Sequence, residues 1–140
     1  LDSIQAAVLN AKLPLLDQYN KARQDAARKY TAAFEGHKNI IAPSICEICD
    51  CHVFHQYTLR IIDADRNGLM QHLLDKGIPC AIYYPIPLHS QKAYLDSRYT
   101  EEDFPVTNQL VKEVISLPMH TELDDDQIQF ITDSVLEFLK

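Results

Sequence analysis

The sequence contains no apolar run that approaches the length of a membrane span, and its first residues form neither a basic region nor the apolar stretch of a signal peptide. We therefore expect a cytoplasmic protein without membrane association. Basic clusters are also missing, because the 13 lysine and arginine residues are dispersed and the formal net charge is -7. Such a chain repels a phosphate backbone, so no nucleic acid partner is expected.

Glycine is scarce, with 3 residues in 140, and there is no internal repeat or low-complexity tract. Hydrophobic residues make up 46% and charged residues 24%, which is typical of a folded globular protein. A domain of this size buries roughly two-thirds of the surface that its unfolded chain exposes, so its core needs no metal or disulfide. The chain begins at Leu1-Asp2 without a methionine, and we expect an upstream part to be missing.

The first 34 residues follow a helical period. Apolar or small residues recur every three or four positions from Ile4 to Ala33, and Asp2 with Gln5 can cap the start. Pro14 interrupts this pattern, which predicts a kink or two helices in nearly the same phase. A helix with so narrow an apolar stripe needs a surface to pack against, and we expect much of that surface to lie outside this chain.

Strands and helices are predicted to alternate after this region. Alternating side chains predict a half-buried strand over residues 51–62, with Val53, Tyr57, Leu59 and Ile61 on one face and Gln56, Thr58 and Arg60 on the other. Further strands are predicted over residues 80–84 and 114–117, and helices after Asp65, around Leu110 and after Asp124. The result is an α+β fold with a small sheet of about three strands covered by helices.

The cysteine-rich stretch permits two interpretations. Cys46, Cys49 and Cys51, with His52 or His55, offer thiolates and imidazoles at a spacing that suits zinc. Closed zinc sites usually combine two paired half-sites, and this sequence has no second pair. We therefore predict no metal site and interpret these cysteines as reduced thiols, while a zinc-binding module stays an alternative.

Residues 81–94 are the segment richest in groups that can recognise a ligand. Pro85 and Pro87 fix their own backbone angles and stiffen the loop. A stiff loop that leaves a strand end can present phenol, imidazole and amide groups to a base or to sugar hydroxyls. The alternative is a connector whose tyrosines pack into the core.

Several motifs, in order along the chain, resemble those of sugar aminotransferases of the DegT/DnrJ/EryC1/StrS type, which are fold-type I pyridoxal-phosphate enzymes. They are Leu1-Asp2-Ser3-Ile4-Gln5-Ala6-Ala7 with Lys12-Leu13 and Arg23, Gln56-Tyr57-Thr58-Leu59-Arg60, Gly77-Ile78-Pro79, Tyr84-Pro85-Ile86-Pro87-Leu88-His89 with Gln91 and Ala93-Tyr94, Phe104-Pro105, and Ser116-Leu117-Pro118-Met119-His120. The resemblance covers nearly the whole chain, and the main departure is the cysteine-rich insert of residues 44–51. It implies that residues 1–140 are one C-terminal small domain with a mainly antiparallel sheet, that residues 1–34 form an interdomain helix region, and that a large cofactor-binding domain is absent.

The resemblance also implies a function. Such enzymes convert the ketone of a UDP- or dTDP-linked sugar to an amine, usually with glutamate as donor, through a lysine Schiff base to pyridoxal phosphate. That lysine lies upstream in the family pattern, so we expect no catalytic residue and no bound cofactor in this chain. The resemblance places the active site between two subunits of a homodimer.

By the same resemblance, the substrate-binding candidates are Tyr83 and Tyr84, followed by His89 and Gln91. His55 is a further candidate from the sequence itself, because its strand carries imidazole, amide, phenol and guanidinium groups that can line a pocket; the alternative is a histidine of the core or of an interface. Two alternatives stay open. One is a pyridoxal-phosphate-dependent nucleotide-sugar dehydratase of the same fold, and the other is a non-enzymatic zinc-binding or dimerisation module.

Overall fold

The computed structural model describes residues 2–44 and 51–140. The elements are α1 (Ser3–Lys12), α2 (Leu16–Phe34), β1 (Ile40–Ile41), β2 (Tyr57–Ile61), α3 (Arg66–Asp75), α4 (Pro105–Glu113), β3 (Val114–Leu117) and α5 (Asp125–Phe138). This order confirms the predicted α+β class with its long N-terminal helical region. Across the described residues, no helix combines the length and the apolar character that a membrane crossing requires.

The N-terminal helical region is divided at Pro14, as predicted. A single 3₁₀ turn, Leu13–Leu15, separates α1 from α2. Proline has no N–H to continue the helical ladder, so the tighter turn takes its place. At the start of α1 the Asp2 carboxylate accepts a hydrogen bond from the Gln5 amide at 2.9 Å, which caps the helix.

The two halves of this region differ in burial. No residue of α1 is buried. Six apolar side chains of α1, the following turn and the first position of α2 are exposed, and we name them the α1 face: Ile4, Val8, Leu9, Leu13, Leu15 and Leu16. The far half of α2 instead enters the core through Ala26, Ala27, Tyr30 and Phe34. The predicted stripe ended on Ala33, which is exposed, because the larger Phe34 takes the buried place one residue later.

The sheet has the order β1-β2-β3 and is antiparallel throughout. Ile40 pairs with Ile61, and Tyr57 pairs with Leu117. Its inner face packs against α2, α3 and α5, and the core around it contains Tyr57, Leu59, Ile61, Leu69, Leu73, Ile115, Leu117, Ile128, Ile131 and Val135. Helices α2, α3 and α5 therefore cover one face. On the other face α4 contacts β2, and the remainder of that face forms a platform.

The first predicted strand is shorter than its pattern indicated. Its ladder begins at Tyr57, because Phe54 adopts a left-handed backbone with φ 46° and interrupts the extended chain. Phe54 is buried in its place, and Val53 is exposed rather than facing the core with Tyr57. The alternation holds from Tyr57 onwards and fails before it.

The predicted strand over residues 80–84 is only an isolated antiparallel bridge. Ala81 and Ser116 exchange two backbone hydrogen bonds, at 3.1 and 2.8 Å. Proline residues at positions 79, 85 and 87 bracket this bridge and have no N–H to extend a ladder. The remainder of the segment is therefore a loop.

The predicted helix boundaries are confirmed in α3 and α5. The Asp65 carboxylate accepts from the Gly68 amide at 2.9 Å, and Gly77 ends the turn after α3 with φ 75°. Asp124 and Gln127 form a capping box, with backbone-to-side-chain bonds of 2.8 and 3.2 Å. These side chains fix where the two helices begin.

Candidate functional site

The outer face of the sheet is polar. The Thr58 and Ser116 hydroxyls lie 2.7 Å apart across β2 and β3. Two residues further along β2, on the same face, Arg60 donates from Nε to a Glu113 carboxylate oxygen at 2.9 Å. Hydrogen bonds from Gln109 and Arg60 lower the pKa of Glu113, so this carboxylate is charged at neutral pH. The face is thus a platform of hydroxyl, amide and ion-paired groups beside the loop that follows Ala81.

Tyr83 and His55 meet at one end of this platform. Together with Gln56, Ser116 and His120 they line a cavity of about 300 Å³, which we name the Tyr83 cavity. Tyr83 is 54% exposed, so its phenol faces solvent and not the core. Two predicted site residues that are 28 positions apart in sequence are therefore brought to one cavity.

Among the predicted residues, Tyr84 borders the largest number of these cavities. It borders a cavity of about 630 Å³ with His55 and Thr58, and a smaller one of about 240 Å³ with Tyr83 and Thr58. A third cavity of about 580 Å³ joins Tyr84 to His89. Because Tyr84 is 73% exposed, the alternative in which these tyrosines pack into the core does not hold.

His89 lies in the aromatic cavity, a name we give to the 580 Å³ space lined mainly by Tyr84, His89, Tyr94, Tyr99 and Phe104. Its ring stacks on Phe104, with centroids 4.4 Å apart and 19° between the planes. The His89 Nε2 atom is buried and has no hydrogen-bond partner among the described residues. A ligand reaches this imidazole nitrogen only if the side chains that bury it move.

Gln91 is placed differently from the other predicted residues. Its side-chain amide donates to the Ile86 carbonyl at 3.2 Å, within the same loop. It lines none of the four cavities described above. In this structure Gln91 closes the proline-rich loop, and Tyr83, Tyr84, His55 and His89 are the predicted residues that border a cavity.

Two residues that the sequence did not single out for the site also border the cavities. Gln56 lines three of them, and Ser116 lines the two that also contain Tyr83. The sequence did indicate the position of Gln56, because the strand alternation placed it with Thr58 on the face opposite Tyr57. The position of Ser116 could not be predicted without the strand pairing, since only its pairing with Thr58 brings it to this face.

Among the residues that the structure describes, none that lines these four cavities is a lysine or an arginine. A lysine amine is required to hold pyridoxal phosphate as a Schiff base, so the residues around these cavities do not fit that cofactor. Cys80 borders the Tyr83 cavity, but burial raises the pKa of its thiol, which keeps it protonated and weakly nucleophilic.

The cysteines differ from the expectation at one position. Cys51 forms a disulfide bond, so the prediction of reduced thiols is wrong there, whereas Cys80 is free. Cys46 and Cys49 lie outside the described residues. Within residues 2–44 and 51–140, no group of three or more His, Cys, Asp or Glu side chains is arranged to hold a metal ion.

Together these features define a small α+β domain whose outer sheet face adjoins several cavities lined by aromatic and polar side chains. The chain belongs to the DegT/DnrJ/EryC1/StrS aminotransferase family, whose model matches residues 1–136. This confirms the resemblance seen in the motifs.

Known relatives match nearly all of this chain but only part of their own length. A "Pleiotropic regulatory protein" of Geobacillus stearothermophilus is 36% identical, with 100% of this chain and 37% of the relative covered. The dTDP-3-amino-3,6-dideoxy-alpha-D-galactopyranose transaminase of Aneurinibacillus thermoaerophilus is 34% identical, with 96% and 36% covered. The chain thus spans little more than a third of these proteins.

A solved structure confirms the fold. DesV of S. venezuelae, crystallised in complex with a ketimine intermediate, superposes with a TM-score of 0.92 at 32% identity. The match covers 100% of this chain and 37% of DesV. The architecture described here is therefore the architecture of the corresponding part of a family member.

Proposed function

We propose that this chain is the C-terminal small domain of a pyridoxal-phosphate-dependent enzyme that converts a nucleotide-linked keto sugar to an amino sugar. Glutamate is the amino donor in this proposal, and residues 1–34 connect to a large domain that holds the cofactor. The family membership supports the reaction class, and a relative named as a dTDP-3-amino sugar transaminase supports a 3-keto sugar carried by dTDP or UDP. The observation that carries the proposal is the convergence of Tyr83, Tyr84 and His55 on adjoining cavities.

The domain contributes recognition of the nucleotide sugar. An exposed phenol offers an aromatic face to a nucleobase and a hydroxyl to phosphate or sugar oxygens, and Tyr83 and Tyr84 offer two of them side by side. His55 and His89 add imidazole nitrogens at either side. Because these cavities contain no lysine or arginine, the diphosphate charge must be met partly by groups from outside this chain.

The cofactor supplies the electron sink for amino transfer when it is bound, and that chemistry belongs to the rest of the enzyme. The residues described here bind and orient the sugar. We also propose a cytoplasmic homodimer in which a second subunit completes the site, since Tyr83 and Tyr84 stay largely exposed on this chain alone.

The test uses the full-length protein that carries this chain, with pyridoxal phosphate and glutamate. It is incubated with dTDP- and UDP-linked 3-keto sugars, and mass spectrometry is expected to show an amine in place of the ketone. Loss of a hydroxyl without gain of nitrogen would support the dehydratase alternative, and no product from any keto sugar would refute both.

Tyrosine variants test the binding surface itself. Tyr84→Ala should raise the KM for the nucleotide sugar about 10-fold or more, as expected for loss of one base-stacking contact. Tyr19→Ala is the matched control, because Tyr19 lies on α2 and borders none of the four cavities. Equal KM values for the two variants would exclude Tyr84 from substrate binding.

The isolated 140-residue chain is expected to be inactive. Pyridoxal phosphate added to it should produce no protein-bound Schiff-base absorbance, because no lysine borders the described cavities. An absorbance band that disappears when one particular lysine of this chain is replaced would contradict this expectation.

A further inference from the structure

Side chains of α2 hold the segment that precedes β2. Arg23 donates from Nε to the Val53 carbonyl at 3.0 Å, and Gln24 donates from Nε2 to the His52 carbonyl at 3.2 Å. Asn20 lies one turn earlier, and its Oδ1 accepts from Arg23 Nη2 at 2.6 Å. Residues 52 and 53 precede the strand ladder, so α2 supplies the donors that these carbonyls would otherwise take from a neighbouring strand.

The held segment contains an unfavourable backbone turn. Phe54 has φ 46°, a conformation that is costly for a bulky side chain and persists only where the surroundings impose it. Its ring is 3% exposed and lies 6.3 Å from the Tyr57 ring, and its amide donates to His52 Nδ1 at 3.0 Å. The turn is therefore fixed by the buried Phe54 ring and by the hydrogen bonds that α2 donates to the two preceding carbonyls.

The residues that leave this turn are His55 and Gln56, which border the Tyr83 cavity and the 630 Å³ cavity beside Tyr84. We propose that Arg23 is a positioning residue for the candidate site: by holding the Val53 carbonyl, it sets the direction in which His55 and Gln56 enter those cavities. The proposal rests on the proposed function, because that direction affects turnover only if the cavities receive the nucleotide sugar.

The chemistry of arginine suits this role. A guanidinium offers donors in a rigid planar fork, so Arg23 reaches Val53 O and Asn20 Oδ1 at once. Within the part of the chain that the structure describes, Arg23 takes part in none of the ion pairs. Its hydrogen bonds go to neutral oxygens of its own helix and of the turn before β2, which is the arrangement of a clamp and not of a surface salt bridge.

The first measurement is amide hydrogen exchange in the full-length protein. Arg23→Met should accelerate exchange of the amides in residues 53–56 about 10-fold, since one hydrogen bond from a charged donor is lost, while the amides of β2 and β3 keep their rates. Arg28→Met is the matched control on the same helix, because Arg28 pairs only with Asp25 in the described region. The control is expected to exchange like the unchanged protein.

The second measurement is steady-state kinetics of the same variants. Arg23→Met should raise the KM for the nucleotide sugar about 10-fold and leave kcat and the KM for glutamate within about twofold. The KM of Arg23→Lys should lie between those of the unchanged protein and Arg23→Met, because an ammonium can donate to only one of the two oxygens that Arg23 reaches. In a protein that already carries His55→Ala and Gln56→Ala, Arg23→Met should raise the KM little further, since Arg23 acts on the substrate only through the side chains of residues 55 and 56.

Two results of the exchange measurement overturn the proposal. One is unchanged exchange in residues 53–56, and the other is acceleration spread equally over β2 and β3, which is general destabilisation. A raised KM without faster exchange also overturns it, since Arg23 would then act on the ligand by another route. If the unchanged enzyme binds no nucleotide sugar, the proposed function fails on that result, and the exchange data alone decide whether Arg23 holds the turn.

Discussion

Replacing Gly68 in α3 by alanine changes the free energy of unfolding through two effects of opposite sign. Alanine is favoured over glycine inside a helix by about 1 kcal/mol. In this structure, however, an added Cβ would lie 2.5 Å from Asp65 Oδ2 and 2.9 Å from Phe138 Cζ. Both distances are shorter than van der Waals contact, so the neighbouring side chains must move.

The two neighbours cannot move freely. The Asp65 carboxylate caps α3 through the Gly68 amide, and losing a cap costs about 0.5–2 kcal/mol. Phe138 packs against the core and lies 5.4 Å from the His72 ring, and overpacking at such a contact costs about 1–3 kcal/mol. The penalties outweigh the helical gain, and we expect Gly68→Ala to destabilise the domain by about 1–3 kcal/mol.

Urea unfolding of the 140-residue chain measures this balance. With a slope of about 2 kcal/mol per molar urea, a loss of about 2 kcal/mol lowers the midpoint by about 1 M. Gln71→Ala, on the exposed side of α3, serves as the control and should change the midpoint little. A midpoint that rises in Gly68→Ala would refute the reasoning, because helix propensity would then exceed the steric cost.

Three further expectations concern other parts of the chain. Tyr30→Phe removes the hydroxyl that bonds to the carbonyl after β3 at 3.0 Å, so urea unfolding should show a loss of about 1–3 kcal/mol, and an unchanged midpoint would contradict this. Hydrogen bonds from Gln109 and Arg60 lower the folded-state pKa of Glu113, so its contribution is complete above the unfolded pKa of about 4.3 and is lost as pH falls through the folded value. Glu113→Gln should therefore flatten the stability loss that sets in as pH falls below the unfolded pKa, and an identical pH profile would exclude that contribution. The exposed α1 face should drive self-association of the isolated chain; sedimentation should show dimers or larger species that Val8→Lys weakens, whereas a stable monomer of the unchanged chain would count against it.

Features fixed by local chemistry were the ones that the sequence predicted well. Pro14 divides the N-terminal helical region, and Asp65 and Asp124 cap their helices. Each depends on contacts within a few positions of the chain, so the residue types themselves carry the information.

The turn at Phe54 could not be read in the same way. The side chains that hold it come from α2, about 30 positions earlier, and alternation alone placed Val53 on the wrong face. The bridge at Ala81 is a similar case, because its partner Ser116 is 35 positions away. Non-local hydrogen bonds override a local pattern in both places.

The candidate site shows the same division. Composition and motif order were sufficient to select Tyr83, Tyr84, His55 and His89, which all border cavities. Gln91 belongs to the same motif but bonds within its loop, since a residue's neighbours in sequence do not determine which way its side chain turns.

The unequal burial of α1 and α2 has a consequence for how this chain can vary. Substitutions in the α1 face change no buried contact of the domain, so they can accumulate without loss of folding stability. Substitutions at Ala27, Tyr30 or Phe34 change the core directly. If apolar residues of the α1 face are retained among related chains, folding stability does not explain their retention. It would instead indicate selection for contact with a surface outside this domain.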